Sequence, residues 1–128
     1  MIRPRPLSRT ETRAALLRTF GQLGKSYDFN FDVESDRRIV CSELAFVVFP
    51  DVAWPTTRVL GRSSISPDQV AVKAGPGGVF TPVILYHDGV PIREKLVESL
   101  QCLLLEDGSA LRVLHPDFVG RSERPAGP

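Results

Sequence analysis

Two residue types that carry much of enzyme chemistry are scarce in this 128-residue chain. It has two cysteines, Cys41 and Cys102, and two histidines, His87 and His115. Cysteines so far apart make neither a disulfide framework nor the paired ligands of a zinc site, and two histidines do not complete one. The sequence therefore predicts no metal and no cofactor. A basic excess is also missing: 16 Lys and Arg stand against 15 Asp and Glu, a net charge of +1, with no basic run. That excludes the electrostatic signature of a nucleic-acid partner. No apolar run approaches the roughly 20 residues of a membrane span. The segment from Met1 to Arg9 is rich in Arg and Pro and lacks the apolar centre of a signal peptide. As written the chain reads as cytoplasmic, any export signal lying upstream of Met1. There are no internal repeats.

What remains is ordinary globular composition, 42% apolar and 24% charged. Its length suits one domain, and such a domain buries about two thirds of its unfolded surface. The expected domain covers residues 1–120, with residues 121–128 a disordered tail.

Along the chain, Ser8-Arg9-Thr10-Glu11 is a capping box. It predicts a helix whose apolar stripe is Leu16, Phe20 and Leu23, widened by Leu17, with Gly24 as its stop. Lys25 to Arg38 is polar with aromatics at a period of two (Tyr27, Phe29, Phe31), which suggests an extended segment or ordered loop. After Cys41, the run Leu44 to Phe49 is wholly apolar, and periodicity alone leaves strand and helix open. Asp51 to Ser64 reads as a loop. Ser66-Pro67-Asp68 starts a second, short helix, with a capping Ser, a Pro at the first helical position and an acid facing the dipole. Gly75-Pro76-Gly77-Gly78 reads as a turn and Val79 to Tyr86 as a strand. Asp88-Gly89 and Asp107-Gly108 both read as hairpin turns. Helices followed by strands suggest an α+β fold.

Cys41 is the strongest chemical candidate. If the run after it is a helix, the thiol sits at the N-terminus, where free N–H groups and the dipole stabilise a thiolate. Thiolates are nucleophiles of acyl transfer. The competing reading is a buried structural cysteine, since free Cys is among the most buried residue types. Other constellations fail. Asp28-Phe29-Asn30-Phe31-Asp32 opens like a calcium loop, but Val33 and Ile39 occupy the positions that need Gly and Glu. The glycines at 75–78 lack the Lys-Ser/Thr ending of a phosphate loop. Trp54 and Tyr86 form no stacking platform with basic neighbours. Cys102, beside Leu103, Leu104 and Leu105, reads as core.

The segment Leu23-Gly24-Lys25-Ser26-Tyr27-Asp28-Phe29-Asn30-Phe31-Asp32, followed by Val40-Cys41-Ser42-Glu43-Leu44, resembles the YiiX/YebB-like cysteine hydrolases. These are a circularly permuted branch of the NlpC peptidases with a papain-like fold. Ile2-Arg3-Pro4 and Ser66-Pro67-Asp68 are also similar to the family, so the resemblance covers about residues 2–72. It implies a nucleophile helix packed on an antiparallel sheet, with Cys41 as nucleophile and its own backbone N–H donating to the oxyanion. It further implies that Tyr27 and Glu43 lie by the substrate. A first-turn acid complementing the dipole is the competing role for Glu43. The substrate would be a small molecule, a peptide or peptidoglycan-type amide, or an acyl lipid.

The sequence departs from the family in one respect. The permuted branch carries its catalytic His upstream of the Cys, and this chain has none before Cys41. The resemblance thus implies a domain incomplete at its N-terminus, with the base His in an upstream segment. Of the downstream histidines, His87 ends a strand beside Asp88-Gly89 and His115 precedes Pro116. Both read as surface residues; as a base after the Cys, the place used by the unpermuted enzymes, His87 is the lesser alternative and His115 lesser still. The expected function is a cysteine hydrolase with a thioester on Cys41, the alternative an inactive remnant or binding module of the same fold.

Overall fold

The computed structural model describes residues 1–29, 33 and 37–116; the expected tail at 121–128 and the loop positions Asn30, Phe31 and Asp32 lie outside them. The order is β1 (Ile2–Pro4), α1 (Arg9–Phe20), β2 (Ser26–Tyr27), β3 (Arg38–Ile39), α2 (Cys41–Val48), β4 (Thr57–Val59), β5 (Arg62–Ser64), α3 (Pro67–Ala71) and a 3-10 turn (Val72–Ala74). Then follow β6 (Phe80–Pro82), β7 (Leu85–His87), β8 (Val90–Ile92), α4 (Leu96–Leu104) and α5 (Gly108–Leu114). The fold is α+β, with helices and short strand pairs interleaved along the chain. The described residues form two compact units, one from Pro4–Lys73 and one from Met1–Arg3 with the chain from Ala74 onward.

In the first unit the capping boxes are formed. Ser8 Oγ accepts from the Glu11 N–H at 3.2 Å, and a Glu11 carboxylate oxygen accepts from the Ser8 N–H at 2.7 Å. Ser66 and Gln69 repeat the arrangement at α3, at 3.2 and 2.7 Å. The hydrogen bonds from Ser8 hold the Glu11 carboxyl below the ordinary glutamate value. A carboxyl whose folded value is lowered adds stability that is complete above the ordinary range and lost as pH falls through the lowered value. The α1 ellipticity is therefore expected to decline on acidification in that window, and Glu11→Gln to remove this part of the decline. An unchanged acid titration of the variant would show that the cap carries no charge-dependent stability.

The apolar run after Cys41 is a helix. Its packing partners include α1 and α3, and Val40, Val48 and Ile65 are the buried apolar residues of this unit. The apolar stripe of α1, by contrast, faces outward: Leu16, Leu17, Phe20 and Leu23 are 51–75% exposed. Ala14, Ala15 and Thr19 are half-buried instead, because small side chains let α1 approach α2 closely. Residues 51–64 are not only loop. They contain the antiparallel pair β4–β5, in register Thr57↔Ser64, Arg58↔Ser63 and Val59↔Arg62. Leu60 and Gly61 both have positive φ, 50° and 82°, the backbone of a tight primed hairpin turn.

In the second unit the core is Ala74, Phe80, Leu85, Ile92, Leu100 and Leu111. The single strand expected over Val79–Tyr86 is two strands. β6 pairs with β1 and β7 with β8, and between them the Val83 N–H donates to the Met1 carbonyl at 2.9 Å. Asp88-Gly89 makes the expected hairpin, in register Leu85↔Ile92, Tyr86↔Pro91 and His87↔Val90. Asp107-Gly108 does not. Its flanks are α4 and α5, and Asp107 Oδ1 caps α5 by accepting from the Ala110 N–H at 2.9 Å. An Asp before a Gly serves as readily as a helix cap as it does as a turn. The helical spacing of Leu96, Leu100 and Leu103 decides between them.

Candidate active site

Cys41 is the first residue of α2, and its thiol is exposed. The chain reaches it from β3 through Val40, whose extended backbone (φ −106°, ψ 165°) turns into the helix. A helix leaves its first N–H groups without partners inside the helix, and here the next hydrogen bond is Leu44 N–H to the Val40 carbonyl at 3.3 Å. The Cys41 side chain thus projects from a helix end that offers N–H donors and the positive end of the dipole.

Glu43 sits two residues on, and only 3% of it is exposed. Val40 has no side-chain acceptor with which to cap the helix, so only the return half of a capping box exists: Glu43 Oε2 accepts from the Val40 N–H at 3.0 Å. That contact clamps the residue immediately before Cys41. The carboxylate is turned back on the backbone and away from solvent. Ser42 beside it is also buried.

Tyr27 is half exposed. β2 and β3 run parallel with Ser26 opposite Arg38 and Tyr27 opposite Ile39, so Tyr27 stands beside the strand residue two before Cys41. Its ring meets Phe29 edge-on with centroids 4.9 Å apart, a favourable aromatic geometry. The pairing is prolonged by the Asp28 N–H, which donates to the Ile39 carbonyl at 3.2 Å. Asp28 itself is 1% exposed. Sequence reasoning gave this carboxylate no role; nothing in composition or spacing distinguishes a buried Asp from a solvated one in a polar segment.

All of these residues belong to Pro4–Lys73, which contains no histidine. His115 lies elsewhere and is not a free surface residue. Its Nε2 is 2.7 Å from Ser99 Oγ, and Ser99 is wholly buried and donates to the Lys95 carbonyl at 2.7 Å. His87, half-buried at the end of β7, lines a cleft with Cys102, Glu106 and Leu111. Cys102 is itself half-buried. Among the described residues no three His, Cys, Asp or Glu side chains come together in a way that would hold a metal ion, and no helix is long and apolar enough to cross a membrane.

No curated protein and no solved structure matches the chain at a significant level. A family model does, over residues 2–104: the permuted papain-like amidases of the YaeF/YiiX type, family C92 of the peptidases. The match runs well past the motif segments, through β7, β8 and α4. With four fifths of its length inside that match, the chain belongs to the permuted papain-like amidase family.

Proposed function

We propose that this protein is a cysteine hydrolase of amide or ester bonds, with Cys41 as its nucleophile. The observation that carries this reading is the exposed thiol at the first position of α2, within the span shared with the amidase family. The Cys41 sulfur attacks the carbonyl carbon, and the first-turn N–H groups of α2, that of Cys41 among them, receive the negative charge that develops on the carbonyl oxygen. The C–N or C–O bond breaks, and the acyl group remains on sulfur as a thioester. Water then adds to the thioester, the acid leaves and the thiol is restored. Tyr27 flanks the incoming acyl group, held upright against Phe29. Glu43 is a positioning residue that fixes Val40 and, through it, the direction of the Cys41 side chain.

An amide demands more than an activated ester does. Its amine leaves only when protonated, so an imidazole must take the thiol proton and hand it on. That imidazole comes from outside Pro4–Lys73, because this unit has none. p-Nitrophenyl acetate separates the two requirements, since nitrophenolate departs without a proton. Incubation of the protein with this ester is expected to place one acetyl group on the peptide containing Cys41 at least about tenfold faster than on that containing Cys102, given the exposure and helix-end position of Cys41. Equal, slow acetylation of both thiols would refute the nucleophile assignment and leave a binding module of the same fold.

A further inference from the structure

We propose that the outer face of α1 docks this protein onto the surface of an anionic lipid bilayer. Ala14, Ala15 and Thr19 are half-buried along one side of the helix. On that side Arg18 anchors it to α2, its Nη1 donating to the Val48 carbonyl at 3.2 Å. At 3.6 residues per turn, the opposite side carries Arg9, Arg13, Leu16, Leu17 and Phe20, with Leu23 just beyond. All six are exposed. Helices of globular proteins ordinarily hide their large apolar side chains and show their polar ones; α1 does the reverse, half-hiding alanines and showing two leucines and a phenylalanine, with Leu23 exposed just past its end.

The same face is basic and carries no carboxylate. Glu11, the acid of α1, is exposed too, but helical spacing puts it on the side of Ala14, Ala15 and Arg18, where it closes the cap on Ser8. From Pro4 to Lys25 five cations (Arg5, Arg9, Arg13, Arg18, Lys25) accompany that one acid, although the whole chain is only +1. The near-neutral total therefore conceals a local surplus of four positive charges. What covers this face must accept four apolar side chains and two guanidiniums along one strip. A second copy fits poorly: two such faces brought together would gather four guanidiniums with no carboxylate from either. The surface of an anionic bilayer fits both halves. The acyl boundary takes Leu16, Leu17, Phe20 and Leu23, while lipid phosphates and carboxylates take Arg9 and Arg13, whose stems reach to the headgroups. α1 has 12 residues, too few to span a bilayer, so it lies in the plane of the interface. The anchor to α2 is at the end remote from Cys41, and none of the docking residues belongs to the proposed catalytic site.

The test is co-sedimentation of the whole protein with vesicles of phosphatidylcholine containing about one third phosphatidylserine. Binding to these vesicles is expected to exceed binding to pure phosphatidylcholine at least tenfold and to weaken as salt is raised. Arg9→Gln combined with Arg13→Gln lowers the affinity about thirtyfold, at about fivefold per cation. Leu16→Gln combined with Phe20→Gln lowers it at least tenfold, with the helical circular dichroism intact because all four side chains are exposed. Absence of binding to the anionic vesicles would overturn the proposal, and so would equal binding to both vesicle types or insensitivity to these variants. A lipid-free dimer dissolved by Leu16→Gln and Phe20→Gln would assign the face to a second copy and equally overturn it.

Discussion

Replacing Cys41 with alanine is expected to abolish turnover of p-nitrophenyl acetate, and of every amide the protein cleaves, by at least about a thousandfold. Losses of that order follow removal of a nucleophile, because the variant retains only binding and oxyanion stabilisation. The fold should survive, since Cys41 is exposed and alanine is the best helix former. Cys41→Ser is the sharper variant. A serine hydroxyl keeps the geometry but is a far weaker nucleophile without a general base, so it should be as inactive as the alanine form. Cys102→Ser should leave the rate within about twofold: Cys102 is half-buried on α4, and every residue assigned to the proposed chemistry belongs to Pro4–Lys73. The measurements are the steady-state rates of the three variants and the acetylation of their tryptic peptides. Retention of esterase activity by Cys41→Ala, or its loss in Cys102→Ser, would sink the assignment.

Several local elements of the fold could be read from the residues alone, and they share a cause. Caps are local: the Ser8–Glu11 box and the Ser66 cap are set within three residues, so the residues alone determine the contact; the return bond from Gln69 was not read, although it follows the same spacing. Asp88-Gly89 is local in the same way, because both residues need positive φ. Where two local readings were equally good, only packing separated them. Asp107 reads as a turn, but an Asp before Gly caps as readily, and the leucines of α4 make it a cap. The run after Cys41 could be strand or helix, and the clamp from Glu43 to Val40, with α1 and α3 alongside, accompanies the helix. The stripe itself was legible in α1, but which side of the helix packs was not. A stripe of Leu and Phe is the usual core signal, but the structure uses alanines there and leaves the stripe outside. The hairpin β4–β5 was missed because Leu60 takes a positive φ that sequence rules reserve for Gly, Asn and Asp. Burial of Asp28 and Glu43 was invisible, since burial of a carboxylate is decided by partners distant in sequence or by backbone geometry.

Glu43 is where that invisible burial has its largest consequence, and Glu43→Ala is expected to destabilise the protein by about 3 kcal/mol. The variant strips the Val40 N–H of its acceptor in a residue that is itself 3% exposed; an orphaned buried donor costs about 1–3 kcal/mol. That bond is the half capping box itself, and truncation to alanine leaves a small void besides. Loss of the buried carboxylate's own desolvation cost offsets part of this. Against a total stability of about 5–15 kcal/mol the loss is substantial, and in a domain of this size it lowers Tm by about 10 °C. Glu43→Gln keeps an oxygen that can accept from Val40, so it should cost only about 1 kcal/mol. The pair of variants separates positioning from substrate contact. If Glu43 acts through the backbone, Glu43→Ala slows acetylation of Cys41 in step with the lost stability, and Glu43→Gln restores most of both. If Glu43 touched substrate, Glu43→Gln would raise KM while leaving Tm nearly unchanged. Urea denaturation and acetylation kinetics on the two variants decide it. An alanine variant within about 0.5 kcal/mol of the parent, the range of an ordinary surface substitution, would show that the clamp on Val40 does not hold the nucleophile's end of α2.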